Sequence, residues 1–157
     1  MGLVLQYTEN ELRKYHSLIN NTFIPEIKLK VQDDFFDKKP DYNKNFDDAY
    51  KISVNSGCGE IIGSNERSVL LGVYKYLTLI GCFFYAPVKY GEIIPHIDRK
   101  DCNADYTAIA DARHRGICIE GSVSFENVMD MIDFAPKLGF NSYFVQFREG
   151  HNFFERW

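Results

Sequence analysis

The chain has 157 residues, 45% hydrophobic and 25% charged, a balance that excludes a disordered polar chain and predicts a folded core. A net charge of -4 and a pI of about 5.5 leave no basic face with which to hold a nucleic-acid backbone. The longest apolar stretch, Leu77 to Val88, is broken by Gly81 and Pro87 and falls short of the roughly 20 residues of a membrane helix, so neither nucleic acid nor membrane is an expected partner.

In chain order, Leu3 to Tyr7 reads as a short strand, followed by a capping box, Thr8-Glu9-Asn10-Glu11. Behind it Leu12, Tyr15, Leu18 and Ile19 keep helical spacing up to Asn20-Asn21. Glu26 to Val31 alternates polar and apolar residues, the pattern of a strand with one wet face. Asp33 to Asp48 has neither period and reads as a long loop, its aromatics Phe35, Phe36, Tyr42 and Phe46 serving as core anchors or a sugar platform.

Ala49 to Val54 and Gly59 to Gly63 are predicted strands of a hairpin turned by Asn55-Ser56-Gly57. A helix is expected over Asn65 to Ile80, capped by Ser64 and stopped by Gly81, with Val69, Val73, Tyr76 and Ile80 inward. Gly72 inside it predicts close approach to a flat surface, since glycine there costs about 1 kcal/mol against alanine. Phe83 to Pro87 is a short strand, Tyr90 to Pro95 follows, and the first domain closes past Pro95.

Residues 98–112 read as a polar connector between a first domain, 1–97, and a second unit, 113–157. In that unit a strand over His114 to Glu120, a helix over Ser124 to Lys137 and a strand over Asn141 to Phe147 suggest a parallel pair joined by a crossover. Phe125, Val128, Ile132 and Ala135 are its expected inward residues.

Cys58, Cys82, Cys102 and Cys118 form no Cys-x-x-Cys pair, and His16, His96, His114 and His151 are scattered without a His-Glu-x-x-His motif. Free thiols are expected, with Cys82 and Cys118 as buried small hydrophobes, and no metal or other cofactor. Met1 to Gln6 carries no legible export or lipid address, which makes the cytoplasm the default location.

The run Gly63-Ser64-Asn65-Glu66-Arg67-Ser68-Val69-Leu70-Leu71-Gly72-Val73-Tyr74-Lys75-Tyr76-Leu77, with Leu79-Ile80-Gly81 and Tyr85-Ala86-Pro87 behind it, resembles the N-terminal domain of family 20 β-hexosaminidases and α-glucuronidases. His114-Arg115-Gly116, followed by three apolar residues and Glu120, is similar to the opening strand of the family 20 barrel. Lys137-Leu138-Gly139-Phe140-Asn141-Ser142-Tyr143 resembles the end of its first helix and its next strand.

The resemblance implies an α+β fold, a sheet with helices packed on one face, followed by the opening β-α-β of an incomplete (β/α)8 barrel. It implies a glycoside hydrolase whose substrate is an oligosaccharide or glycoconjugate, with the family's Asp-Glu pair on a fourth barrel strand that this chain does not reach. No catalytic residue is therefore assigned, and the chain alone is expected to be inactive. Arg115 would contact sugar hydroxyls, or else form a structural ion pair, and Glu120 stands at the catalytic end of its strand.

Glu120 replaces the family's aspartate, and Gly121-Ser122-Val123-Ser124 stands where an Arg-His pair is usual. Exposed strand edges of the second unit would favour self-association. The alternative reading is a stand-alone carbohydrate-binding or assembly module, and a remoter one is a small hydrolase built on Glu120 and a histidine.

Overall fold

A computed structural model describes residues 2–32, 34, 43, 45–88, 90–119, 124–146 and 148–156. The fold is α+β. Its first helix, α1, spans Leu3–Ile19 and absorbs the strand expected over Leu3 to Tyr7. Leu5, Thr8, Leu12, Tyr15 and Ile19 recur at helical spacing, and the burial of that one face outweighs the strand-like alternation of the first residues. Thr8 is not a cap: it is buried within the helix, and its hydroxyl donates to the Val4 carbonyl at 2.7 Å.

A four-stranded mixed sheet packs under α1 and α2. Strand β1 (Glu26–Val31) runs parallel to β3 (Cys58–Gly63), and β3 pairs antiparallel with β2 (Ala49–Asn55). The β2–β3 hairpin turns at Ser56 (φ 49°) and Gly57 (φ 70°), the two positive angles required by a two-residue turn matched to strand twist.

Helix α2 spans Glu66–Leu79. Its cap is Asn65, whose side chain accepts the Ser68 amide at 2.9 Å, and not Ser64. Ser64 is buried one residue earlier, where its hydroxyl accepts the Ala49 amide at 3.1 Å and ties the helix entry to β2. Val69, Val73, Tyr76 and Leu77 are inaccessible, and Tyr15, Tyr74 and Phe84 meet edge to face at 5.4–6.2 Å between centroids.

Gly72 makes the close approach that its position predicts: a Cβ there would sit 2.9 Å from Ile61 Cγ2 and 3.4 Å from Tyr50 Cβ. Gly72→Val therefore has no room, and it is expected to lower stability by about 1–3 kcal/mol in urea denaturation. A neutral result would mean that α2 stands further off the sheet than these distances indicate.

Two short strands follow, β4 (Phe83–Phe84) and β5 (Glu92–Ile93), paired antiparallel. The expected connector is partly regular. Beyond a 3₁₀ turn at Arg99–Asp101 it supplies β6 (Ala104–Ile109), which pairs with β2 and gives the sheet order β1-β3-β2-β6. As an edge strand β6 buries only Ala104 fully and leaves Asp105, Tyr106 and Thr107 exposed, so no apolar alternation marks it.

The second unit is a parallel pair, β7 (Gly116–Ile119) and β8 (Ser142–Val145), with α3 (Phe125–Phe134) between them. Ser124 caps α3, and a 3₁₀ turn over Ala135–Leu138 closes the crossover at Gly139 (φ 82°). Val128, Phe134 and Ala135 are buried, while Ile132, expected inward, is 44% exposed. A short helix, α4, covers Gly150–Glu155.

Cys82 and Cys102 are buried, Cys58 is partly covered, and Cys118 is exposed, contrary to the buried role expected for it. The reason is that Cys118 and Phe144 occupy the open side of the two-stranded sheet. Among the described residues no helix is long and apolar enough to cross a membrane.

Candidate functional site

The polar residues that the fold gathers most tightly lie where the two units meet. Asp48 immediately precedes β2 and is 1% exposed. Its Oδ2 accepts Arg115 Nη2 at 2.7 Å and Asn141 Nδ2 at 2.7 Å, and its Oδ1 accepts Arg67 Nε at 3.0 Å and the Ser68 hydroxyl at 2.9 Å. Beside it Asp47 takes a forked pair from Arg113, Nε and Nη2, at 2.9 and 3.0 Å.

Burial alone would raise the Asp48 pKa, but hydrogen bonds from Arg115 and Arg67, the Arg67 charge and the Asn141 amide outweigh it and hold the carboxyl below its ordinary range.

Arg115 stands immediately before β7, at the amino end of the parallel pair. Besides Asp48, its Nε donates to the Gly139 carbonyl at 3.1 Å and its Nη1 to the Ala112 carbonyl at 2.7 Å. All three nitrogens are thus directed at protein acceptors, the geometry of a structural ion pair. Glu120 lies outside the described residues. Phe35, Phe36 and Tyr42, expected in a long loop, lie outside them as well, whereas Phe46 is half-exposed with the Arg113 guanidinium 5.7 Å from its ring.

A second set of polar contacts clamps the units from the other side. The Lys137 ammonium, its side chain 6% exposed, sits 2.8 Å from Glu92 and 2.6 Å from Asp133. Tyr15 donates to Glu92 at 2.7 Å, Tyr7 to Asp133 at 3.0 Å, and Tyr74 to Glu11 at 2.7 Å. Burial would lower the Lys137 pKa, but the hydrogen bonds and charges of Asp133 and Glu92 raise it on balance. These carboxylates are held by cations and phenols, an arrangement that positions the elements they join.

The histidines stay apart. His96 and His114 are exposed, and His151 meets Glu155 at 3.2 Å on α4. His16 is buried, with Nε2 3.1 Å from the Tyr76 hydroxyl and its ring edge-on to Phe23. Burial pushes its pKa down to about 4 from 6.5. The unfolded chain thus binds a proton that the folded chain refuses, so stability falls as pH drops from 6.5 and the loss is complete near 4. At about 1.4 kcal/mol per pKa unit the loss reaches roughly 3 kcal/mol. His16→Phe is expected to flatten this slope in urea denaturation between pH 7 and 4.5.

Among the described residues no group of His, Cys, Asp and Glu could hold a metal ion. The Asp48 constellation was not foreseen as a unit. Its signal was indirect: Arg67, Ser68, Arg115 and Asn141 all fall in the segments that carry the family resemblance, and Asp47-Asp48 is a charged pair at the mouth of an apolar strand. No family model, curated protein or solved structure gives a significant match to this chain.

Proposed function

We propose that the chain is the N-terminal part of a glycoside hydrolase, an α+β domain that buttresses the first β-α-β of a (β/α)8 barrel acting on hexosaminides or glucuronides. The observation that carries this reading is the polarity of the junction. Arg115 and Asn141, which bind Asp48, each immediately precede a strand of the parallel pair, so the α+β domain is fastened at the amino ends of β7 and β8. Barrel enzymes work at the opposite, carboxyl ends of their strands and use the amino ends for stability.

The faces of the pair support the reading too. Parallel strands belong in sheets covered on both sides, yet Phe144 is 60% exposed and Met129, Ile132 and Leu138 are 44–48% exposed. Further barrel strands and helices would cover them. Without that cover, the outer edges of β7 and β8 would pair copies of the chain.

In this reading Arg115 takes the structural ion-pair role, and the sugar contact falls to Glu120, the residue that follows β7 in the sequence. The carboxylates that protonate the glycosidic oxygen and stabilise the oxocarbenium-like state come from later strands of the barrel.

The test is to follow the native reading frame past Trp157 and assay its full product, beside this chain, on aryl hexosaminides and glucuronides. Hydrolysis by the longer protein alone is the expected result. A frame that stops at Trp157 with no hydrolysis would favour the stand-alone binding or assembly module.

A further inference from the structure

The parallel pair β7–β8 has two unlike faces. Tyr143 of β8 lines a small cavity together with Ile132 of α3 and Ala135 and Pro136 of the turn behind it, so it faces the crossover. Successive residues of a strand point to opposite sides. Phe144 therefore points away from α3, in keeping with its 60% exposure, and Cys118, its partner in register, shares that open face.

Gln146 belongs to the same face. Its backbone N–H donates to the Ile119 carbonyl at 2.8 Å, which carries the ladder one residue past β8 and keeps the alternation. Its side chain lies over Cys118, whose Sγ is 3.6 Å from Oε1, while Nε2 has no partner among the described residues. The residue is exposed, and it is the one polar side chain in the run Phe144-Val145-Gln146-Phe147. When a parallel pair closes into a (β/α)8 barrel, the face turned away from its helices becomes the packed interior, and the carboxyl ends of the strands open onto the active site. Cys118 and Phe144 would then fill the interior, with Gln146 one step above them at the mouth. An amide both donates and accepts, and left unpaired in a covered mouth it would cost stability, so its partner is sought in what enters there.

We propose that Gln146 is a substrate-contacting residue of the intact enzyme, its Nε2 donating to a hydroxyl oxygen of the sugar held at the barrel mouth. The inference rests on the barrel reading above and adds to it a named contact of stated chemistry, an uncharged donor for an uncharged oxygen. Gln146 holds the sugar in place and takes no part in proton transfer.

The test uses the full product of the native reading frame, an aryl glycoside that it hydrolyses, and the set of monodeoxy analogues of that glycoside. Gln146→Ala is expected to lower kcat/KM by about three- to tenfold, the worth of one neutral hydrogen bond. For one analogue the penalty of the missing hydroxyl should shrink by the same factor in the variant, because the contact is already broken there. A kcat/KM within about twofold of wild type, or a loss shared equally by every analogue, overturns the assignment of Gln146 and leaves the hydrolase reading standing. An unsubstituted full product that cleaves no glycoside, or a frame that ends at Trp157, overturns both.

Discussion

Asp48→Ala is expected to lower the stability of the chain by about 3–5 kcal/mol, the cost of breaking a buried ion pair from one side. The substitution strands two guanidinium groups, a hydroxyl and an amide at once, because Arg67, Arg115, Ser68 and Asn141 all converge on this one carboxylate. Asp48→Asn, which keeps an acceptor but removes the charge, should cost less.

The pH dependence has a fixed sign. With the folded pKa depressed below 3.8, the contribution of Asp48 is complete above that value and is lost as pH falls through the folded pKa. The stability difference between wild type and Asp48→Ala in urea denaturation should therefore be larger at pH 7 than at pH 3. A cost under about 1 kcal/mol at pH 7, the worth of an exposed pair, would remove Asp48 from the centre of the junction.

Lys137→Met is the second large effect. It leaves Glu92 and Asp133 without their shared cation in a place where the lysine side chain is 6% exposed. Asp133 keeps half its surface in water, which puts the expected cost at about 3 kcal/mol, the lower end of the range for broken buried pairs. For a domain of this size that lowers Tm by about 6–12 °C. Pairing it with Glu92→Gln should recover part of the loss, because the remaining amide can still accept from Tyr15. Strict additivity of the two substitutions would show that Lys137 and Glu92 do not interact.

The elements with a clean period were legible in the sequence. The β2–β3 hairpin, α2 with its close-packed Gly72, and the strand-helix-strand order of the second unit all follow from spacing and turn chemistry. The start of α1 was not legible, because Leu3-Val4-Leu5 reads as a strand until Thr8 and Leu12 are seen to share a buried face with Tyr15 and Ile19. Strand β6 was missed because two of its neighbouring exposed residues, Asp105 and Thr107, look like loop.

Of the candidate site, Arg115 was visible as a residue but its partner was not. Asp48 is one of six aspartates in its stretch of chain, and only tertiary structure distinguishes it from the other five.

The same junction sets an order of events during synthesis. Arg67 and Ser68 follow Asp48 closely and can occupy Oδ1 early, but Asn141, one of the groups on Oδ2, is 93 residues further along. At about 5–20 residues per second the ribosome needs roughly 5–20 s to deliver it. Until Asn141 emerges, the nascent sheet carries a carboxylate whose second oxygen lacks its full set of partners, and docking of the parallel pair is what finally dries it.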